Sequence, residues 1–248
     1  MPAFVIYIGI FLIGVAASVI GSMVGGGSLL SIPFLIFLGL PPQVAIATDR
    51  FGSLGTLTAL LKFWKAKKIV WKYVPVFALL SLAGSLIGAN ILLNINTSIL
   101  QKIIGVLLFI LLPIILFKKH IGVERGKTNI LKMIVGVVLY FLIQVLAGFF
   151  GGGTGTLIFY TLMMCFGLTI IEANATQTIP VFILYISSLI IFGLHGIIDY
   201  AYGFVLMAGM ATGGYIGAHI ALTKGNEWVK RLFFILVLMM GVKLLFFS

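Results

Sequence analysis

Long apolar runs separated by short polar loops dominate the sequence. Most runs approach the roughly 20 residues that an α-helix needs to cross a bilayer. They form two sets of five segments: Phe4–Val24, Ser28–Leu38, Val44–Trp64, Tyr73–Leu93 and Ile99–Phe117, then Ile130–Phe150, Thr154–Phe166, Ile171–Leu194, Tyr200–Leu222 and Trp228–Phe247. The pattern predicts an all-α integral membrane protein built from two repeats of about five helical segments each.

The second segment of each set is too short to cross a bilayer unaided. Ser28–Leu38 has 11 residues, which reach about 16 Å in a helix, against an apolar bilayer core of about 30 Å. Each short segment either recruits flanking residues to cross, or re-enters and returns to the side it came from. Both alternatives leave an odd number of crossings per set, so the second repeat is expected to be inverted, as in many secondary transporters.

Matching motifs support a duplication. GGGS at 25–28 recurs as GGGT at 151–154, GLPPQVAIAT at 39–48 as GLTIIEANAT at 167–176, and GSLIGANI at 84–91 as GGYIGAHI at 213–220. Their constant order predicts a first transmembrane repeat at 1–117, a cytoplasmic basic linker at 118–129 and a second, inverted repeat at 130–248. The paired glycines inside the last motif are expected to pack helices closely.

Charge fixes the expected orientation. Only 8% of the residues are charged and the net charge is +11, whereas soluble domains carry about 25% charged residues. The Lys and Arg residues cluster at 62–72, 118–132 and 224–231, and the loop His195–Asp199 has none. With both termini on the outer side, all three clusters face the cytoplasm, as the positive-inside rule requires. A multi-pass protein of the plasma or inner membrane is expected, and the charge then requires no nucleic acid partner.

Enzyme and cofactor signatures are missing from the sequence. Cys165 is the only cysteine, the three histidines have no metal-ligand spacing, and no nucleotide-binding loop or metalloprotease motif occurs. Neither an enzyme nor a cofactor or metal site is expected.

The triple glycines stand where a long segment meets a short one. Three glycines in a row weaken a helix by about 1 kcal/mol each relative to alanine, so a break is expected. A short helix starting after the break would point its free N–H groups at a cavity, which favours an anion. A purely structural hinge is the alternative. The candidate substrate-binding residues here are Gly25, Gly26, Gly27, Ser28, Gly151, Gly152, Gly153 and Thr154.

Polar side chains also interrupt the apolar segments that follow. An ionised group near the middle of a bilayer costs at least about 2.5–3.5 kcal/mol, so Arg50 is interpreted as the fixed charge that holds an anionic substrate. Asp49 or Glu172 would balance that charge or carry a coupling proton. The alternative is that Asp49 and Arg50 lie at interfacial depth and snorkel. The candidate hydroxyl and amide ligands are Thr48, Asn174, Thr176 and Gln177.

The motifs resemble those of the TauE/SafE family of membrane transporters over essentially the whole chain. The resemblance rests on the pattern from Gly25 to Thr48, its copy from Gly151 to Pro180, and GYIGA at 214–218. It implies a permease for small anions such as sulfite or organosulfonates, with the glycine-rich turns in the pathway.

The expected function is therefore a secondary transporter that moves a small sulfur-containing anion by alternating access, with its site between the two helix breaks. An anion channel of the same architecture and a non-transporting membrane scaffold are the alternatives. The sequence leaves open which anion is carried, the direction of transport, the coupling ion and the oligomeric state.

Overall fold

The computed structural model describes the backbone of residues 3–96 and 122–246 and the side chains of residues 4–96 and 122–229. Within these ranges the helices are α1 Ala3–Val24, α2 Ser28–Phe37, α3 Pro42–Gly52, α4 Leu57–Lys65, α5 Val74–Asn94, α6 Ile130–Phe149, α7 Thr154–Phe166, α8 Ile170–Leu194 and α9 Tyr200–Phe246, with a 3₁₀ turn at Ser53–Thr56. The predicted segment Ile99–Phe117 lies outside the described residues.

The fold class predicted from hydropathy is confirmed. The described residues form helices without strands, and five helices are long and apolar enough to cross a membrane: Phe4–Val24, Val74–Asn94, Ile130–Phe149, Ile170–Leu194 and Tyr200–Val229. The large apolar side chains that remain exposed on them, such as Leu79 and Ile190, suit a lipid surface. The chain is an all-α integral membrane protein.

One predicted segment differs from the helices observed. Val44–Trp64 is split into α3 and α4 by the 3₁₀ turn at Ser53–Thr56. The two last predicted segments are the two parts of α9, which meet at a kink at Gly225, whose φ of 78° and ψ of 178° are not helical. Glycine adopts that conformation without the steric cost that a Cβ would add.

The short helix α2 returns toward the start of α1. Gly27, at the beginning of α2, lies against the Ala17 carbonyl and Gly21, and Phe34, near its end, lies against Gly9 in the first turns of α1. The two helices therefore form an antiparallel hairpin. Such a hairpin is common to both alternatives that the length of this segment left open.

The second short helix, α7, forms a matching hairpin with α6. Gly136, early in α6, contacts Cys165 and Phe166 at the end of α7. The Thr128 hydroxyl, just before α6, donates to the Cys165 carbonyl over 2.5 Å. α7 therefore also ends near the point where the preceding helix begins.

The tips of the two hairpins meet in backbone contact. A Cβ on Gly25 would lie 2.6 Å from the Gly155 carbonyl carbon, and a Cβ on Gly155 would lie 3.2 Å from the Gly25 Cα. The Thr156 hydroxyl donates to the Val24 carbonyl across the same junction over 3.4 Å. A Cβ on Gly25 would overlap the Gly155 backbone and one on Gly155 would be tightly packed, so the glycines at this junction permit the approach of the two turns.

Glycines also join helices from the two halves side by side, as predicted. On α5, a Cβ at Gly88 would lie 2.2 Å from the Val145 carbonyl oxygen of α6. On α9, a Cβ at Gly217 would lie 2.1 Å from the Ser22 hydroxyl of α1. Small residues at four-residue spacing allow this close packing where no hydrophobic effect drives helices together.

The basic loops come together at one end of the molecule. The Thr176 hydroxyl in α8 accepts a hydrogen bond at 3.0 Å from the amide of Val70, which lies in the lysine-rich loop before α5. Asn226, beside the kink in α9, donates to the Val123 carbonyl at 3.0 Å and accepts from the Ile171 amide at 3.2 Å. The loop before α5, the linker and the kink thus share this basic end.

The opposite end carries the loop without lysine or arginine. The Thr48 hydroxyl accepts from the Asp199 amide at 3.0 Å, and the rings of Tyr7 and Tyr202 lie edge to face with centroids 5.9 Å apart. The start of α1 is therefore at this end.

Candidate functional site

A cavity of about 120 Å³ lies between the two glycine turns. It reaches from α1 and the start of α2 across the 3₁₀ turn to α7 and α8, and it is mostly apolar. An engineered apolar cavity of about 150 Å³ binds benzene, so the space accommodates a solute of a few non-hydrogen atoms. The predicted substrate-binding residues that line it are Gly25, Gly26, Gly27, Ser28, Arg50, Gly151, Thr154, Asn174 and Gln177.

Arg50 is the charged residue that faces the cavity. Its side chain is buried, with 3% of its surface exposed, so it does not snorkel to an interface. Its Nη2 donates to the Ala147 carbonyl, at the end of α6, over 2.5 Å. Its guanidinium lies 5.2 Å from the centroid of the Tyr185 ring, a distance at which the ring face attracts a cation.

Gly151 leaves the space that the guanidinium fills. A Cβ at this position would lie 2.8 Å from Nη2 of Arg50 and 3.3 Å from Cζ. Gly151 also has a φ of +80°, which side-chain-bearing residues seldom adopt. The second glycine turn thus fixes the place of the arginine contributed by the first half.

The carboxylate of Asp49 turns away from Arg50. Ser28 donates to its Oδ2 at 2.7 Å and Ser31 donates to its Oδ1. Arg125 and Glu172 form an ion pair within 4.0 Å, whereas Arg50 and Asp49, both with described side chains, do not. Arg50 and Asp49 are therefore buried neighbours in sequence that have separate partners, and Ser28 separates the Asp49 carboxylate from the cavity.

Three of the buried side chains that line the cavity have a polar atom without a protein partner. They are Nε of Arg50, Nε2 of Gln177 and the hydroxyl of Ser18. The first two are N–H donors only, and the hydroxyl both donates and accepts. A buried donor without a partner costs about 1–3 kcal/mol, so these atoms favour a bound group that is rich in acceptor oxygens.

Each half also sends one side chain to the end of the other half's first helix. Arg50 bonds to Ala147 at the end of α6, and Nδ2 of Asn174 donates to the Ser22 carbonyl at the end of α1. The last four carbonyls of a helix have no partner within it. These two bonds satisfy such carbonyls and join the halves on either side of the cavity.

Four predicted ligands lie outside the cavity lining. Thr48 and Thr176 instead accept hydrogen bonds from Asp199 and Val70, at opposite ends of the molecule. Gly153 is the left-handed residue before α7, with φ of +77°, and Gly152 packs against the Phe150 ring and Leu29. The substrate contacts predicted for these four residues are not supported by this geometry.

Glu172 also has partners other than Arg50. It completes a capping box with Thr169 at the start of α8, and it forms an ion pair with Arg125 of the linker at 2.6 Å. The hydrogen bonds that the Arg125 guanidinium donates to this carboxylate raise the pKa of Arg125. Glu172 does not line the cavity, which corrects the expectation that it balances the charge on Arg50; the capping motif TIIE at 169–172 was the signal for its actual role.

The sequence reasoning missed several lining residues. Isolated serines in apolar helices are the available signal for Ser18 and Ser22, because small polar residues there mark close helix contacts. Tyr185 is one aromatic hydroxyl in an apolar run, and nothing in the local pattern distinguishes it from packing. The missed polar residues are Ser18, Ser22, Ser53, Thr56, Thr178 and Tyr185.

The comparison with protein families decides what kind of protein this is. The family model described as sulfite exporter TauE/SafE matches residues 10–244. The chain belongs to the TauE/SafE family. It is a membrane transporter of that family, as the resemblance of its motifs implied.

Curated relatives of this TauE/SafE protein extend over nearly all of it. A probable membrane transporter protein of Haemophilus influenzae is 28% identical over 238 residues, covering 96% of this chain and 93% of the relative. The probable membrane transporter protein YfcA of Escherichia coli strain K12 is 25% identical, covering 96% and 89%. YunE of Bacillus subtilis, with the same description, is 25% identical, covering 94% and 95%. No solved structure matches the chain.

Proposed function

We propose that this TauE/SafE protein is a secondary transporter that moves a small anion across the cytoplasmic membrane by alternating access. The anion belongs to the sulfur oxyanion or organosulfonate class and binds in the cavity between the two glycine turns. The observation that carries the proposal is that two residues in the lining of that cavity, Arg50 and Gln177, each hold a buried N–H donor without a protein partner.

The chemistry of the lining favours an oxyanion over other solutes. Arginine presents planar N–H donors that match carboxylate, sulfonate or phosphate oxygens. With the Asp49 carboxylate bonded to Ser28 and Ser31, the charge that faces the cavity is positive. The apolar remainder of the lining suits a small organic group beside the charged head. The family description supports sulfur compounds as the first class to test.

The arrangement of the hairpins supports an inverted repeat and alternating access. α1 and α2 open toward the end that carries Asp199, whereas α6 and α7 open toward the basic end, and their tips meet beside the cavity. Inverted repeats that share a central site expose it to either side by rocking. By the positive-inside rule the basic end is cytoplasmic, which puts both termini outside.

Flux measurements with purified protein in liposomes test the proposal. Sulfite, thiosulfate, methanesulfonate, sulfoacetate and a carboxylate of similar size should be compared, and a carrier should show saturable uptake that an unlabelled substrate stimulates from the opposite side. Single-channel currents in planar bilayers would instead indicate the channel. Absence of both flux and ligand-induced thermal stabilisation with every anion would favour the scaffold.

Asp49 is the proposed site of a coupling proton. Its carboxylate is buried and only the Ser28 hydroxyl separates it from the cavity, so loss of a proton there would change the charge beside the anion. Asp49→Asn is expected to retain anion binding but to lose the stimulation of flux by an imposed pH gradient.

Glu172→Gln is the matched control for that experiment. Glutamine preserves the capping box, and the lost ion pair is a solvent-exposed one, with the Arg125 side chain 67% exposed, so its loss has little effect on stability. This variant should keep the response to pH. A response retained by Asp49→Asn, or absent from the wild-type protein, would contradict the role of Asp49.

A further inference from the structure

A buried chain of polar side chains leads from α5 and α6 to the cavity. Nε2 of Gln144 donates to the Ser81 hydroxyl at 2.7 Å, the Ser81 and Tyr140 hydroxyls are 3.2 Å apart, and Tyr140 donates to Oε1 of Gln177 at 2.6 Å. Ser81, Tyr140 and Gln144 have no exposed surface. Neither the cavity lining nor the carbonyl bonds between the halves include Tyr140.

The hydrogen bonds that link these side chains are all donated in the same direction, from Gln144 toward Gln177. Ser81 accepts from Gln144, and the Tyr140 proton goes to Gln177, so the proton of Ser81 is directed to Tyr140. The atoms left without partners are the acceptor Oε1 of Gln144 at one end and the donor Nε2 of Gln177 at the other. The cavity end of the chain therefore presents a donor.

Tyr140 determines which face of the Gln177 amide is available. An amide has one acceptor oxygen and one donor nitrogen, and a rotation of half a turn exchanges them. With Oε1 committed to the tyrosine hydroxyl, the nitrogen remains for the cavity. Without that hydroxyl, the oxygen is free to face the cavity, where it would repel an anion.

We propose that Tyr140 is a positioning residue for anion binding, acting through Gln177. This inference rests on the proposed function, because it assigns the orientation of one ligand in the same site. It predicts that removal of the Tyr140 hydroxyl weakens anion binding only while residue 177 is an amide that can turn.

A double-mutant cycle tests this coupling. Binding of methanesulfonate to purified full-length protein is measured for wild type, Tyr140→Phe, Gln177→Met and the double variant. Tyr140→Phe is expected to weaken binding about five- to tenfold, the effect of one buried hydrogen bond, and to raise the KM of transport more than it lowers the maximal rate. In the Gln177→Met background the same change should alter affinity less than about twofold.

Tyr202→Phe is the matched control. Tyr202 lies at the start of α9 beside Tyr7, and its substitution should leave affinity unchanged. Independent, additive effects of the Tyr140 and Gln177 substitutions would overturn the inference while leaving the anion site intact. If the wild-type protein binds no anion, the proposed function itself fails, and this role of Tyr140 fails with it. Should Tyr140→Phe not fold, Tyr140→Met, which also removes the hydroxyl that donates to Gln177, replaces it in the same cycle.

Discussion

Replacement of Arg50 by methionine is expected to reduce anion flux at least about 100-fold, the loss expected when a buried charge-assisted contact to a substrate is removed. The guanidinium lies in the cavity wall with Nε unpartnered, so a bound oxyanion has no other positive side chain beside it in the described lining. Methionine has a similar length and no charge. Because the substitution also removes the hydrogen bond to the Ala147 carbonyl, the folding of each variant is checked by size-exclusion chromatography and thermal unfolding before flux is compared.

Two further variants make the Arg50 experiment specific. Arg50→Lys retains the charge but not the planar donors, and it should retain a small part of the flux because the two side chains present different hydrogen bonds. Arg125→Met removes a basic residue that pairs with Glu172 at the basic end, and it should transport normally. Equal flux in wild type and Arg50→Met, both measured at the same protein density, would remove Arg50 from the mechanism.

The contact between the glycine turns gives the second large effect. Gly25→Ala adds a Cβ 2.6 Å from the Gly155 carbonyl carbon, at a residue whose φ is +78°. The left-handed backbone costs about 1–2 kcal/mol for an alanine, and the overlap with a packed backbone adds about 1–3 kcal/mol. The variant is expected to unfold at a clearly lower temperature and to lose transport.

Gly196→Ala separates the backbone cost from the overlap. Gly196 also has a positive φ, +65°, but a Cβ there would have no atom within 4 Å. It lies in the loop between α8 and α9. Thermal unfolding in one detergent should rank the proteins as wild type, then Gly196→Ala, then Gly25→Ala. Equal losses in the two variants would show that the hairpin tips are not packed as tightly as the structure indicates.

Local pattern predicted the elements of this fold well. Apolar runs and their flanking turn residues located α1, α2, α5 and α7 within one or two residues of their ends, because a membrane helix must satisfy its backbone internally and is apolar along its length. The break in the third segment was not predicted. No proline or triple glycine occurs at Ser53–Thr56, so the local sequence gave no strong signal for the 3₁₀ turn.

The residues around the cavity also differ in how strong a local signal each has in the sequence. Arg50, the first triple glycine and Gly151, which line the cavity, were singled out because charge and repeated helix breakers are rare in apolar segments. Glu172 satisfied the same criterion and was misinterpreted, since its partner Arg125 lies 47 residues away in the linker. The role of Tyr140 could not be predicted from the sequence, because a tyrosine in an apolar helix is equally consistent with packing. Its contact with Gln177 depends on how α6 packs against α8.

The most direct test is to locate the anion itself. Selenite or selenate, as a heavier analogue of a sulfur oxyanion, can be found from its anomalous scattering in crystals of the protein. We predict a selenium peak between the two glycine turns, with one oxygen within hydrogen-bond distance of the Arg50 guanidinium and another near the Gln177 amide. A peak only at the lysine-rich loops of the basic end, with the central cavity unoccupied at saturating anion, would contradict it.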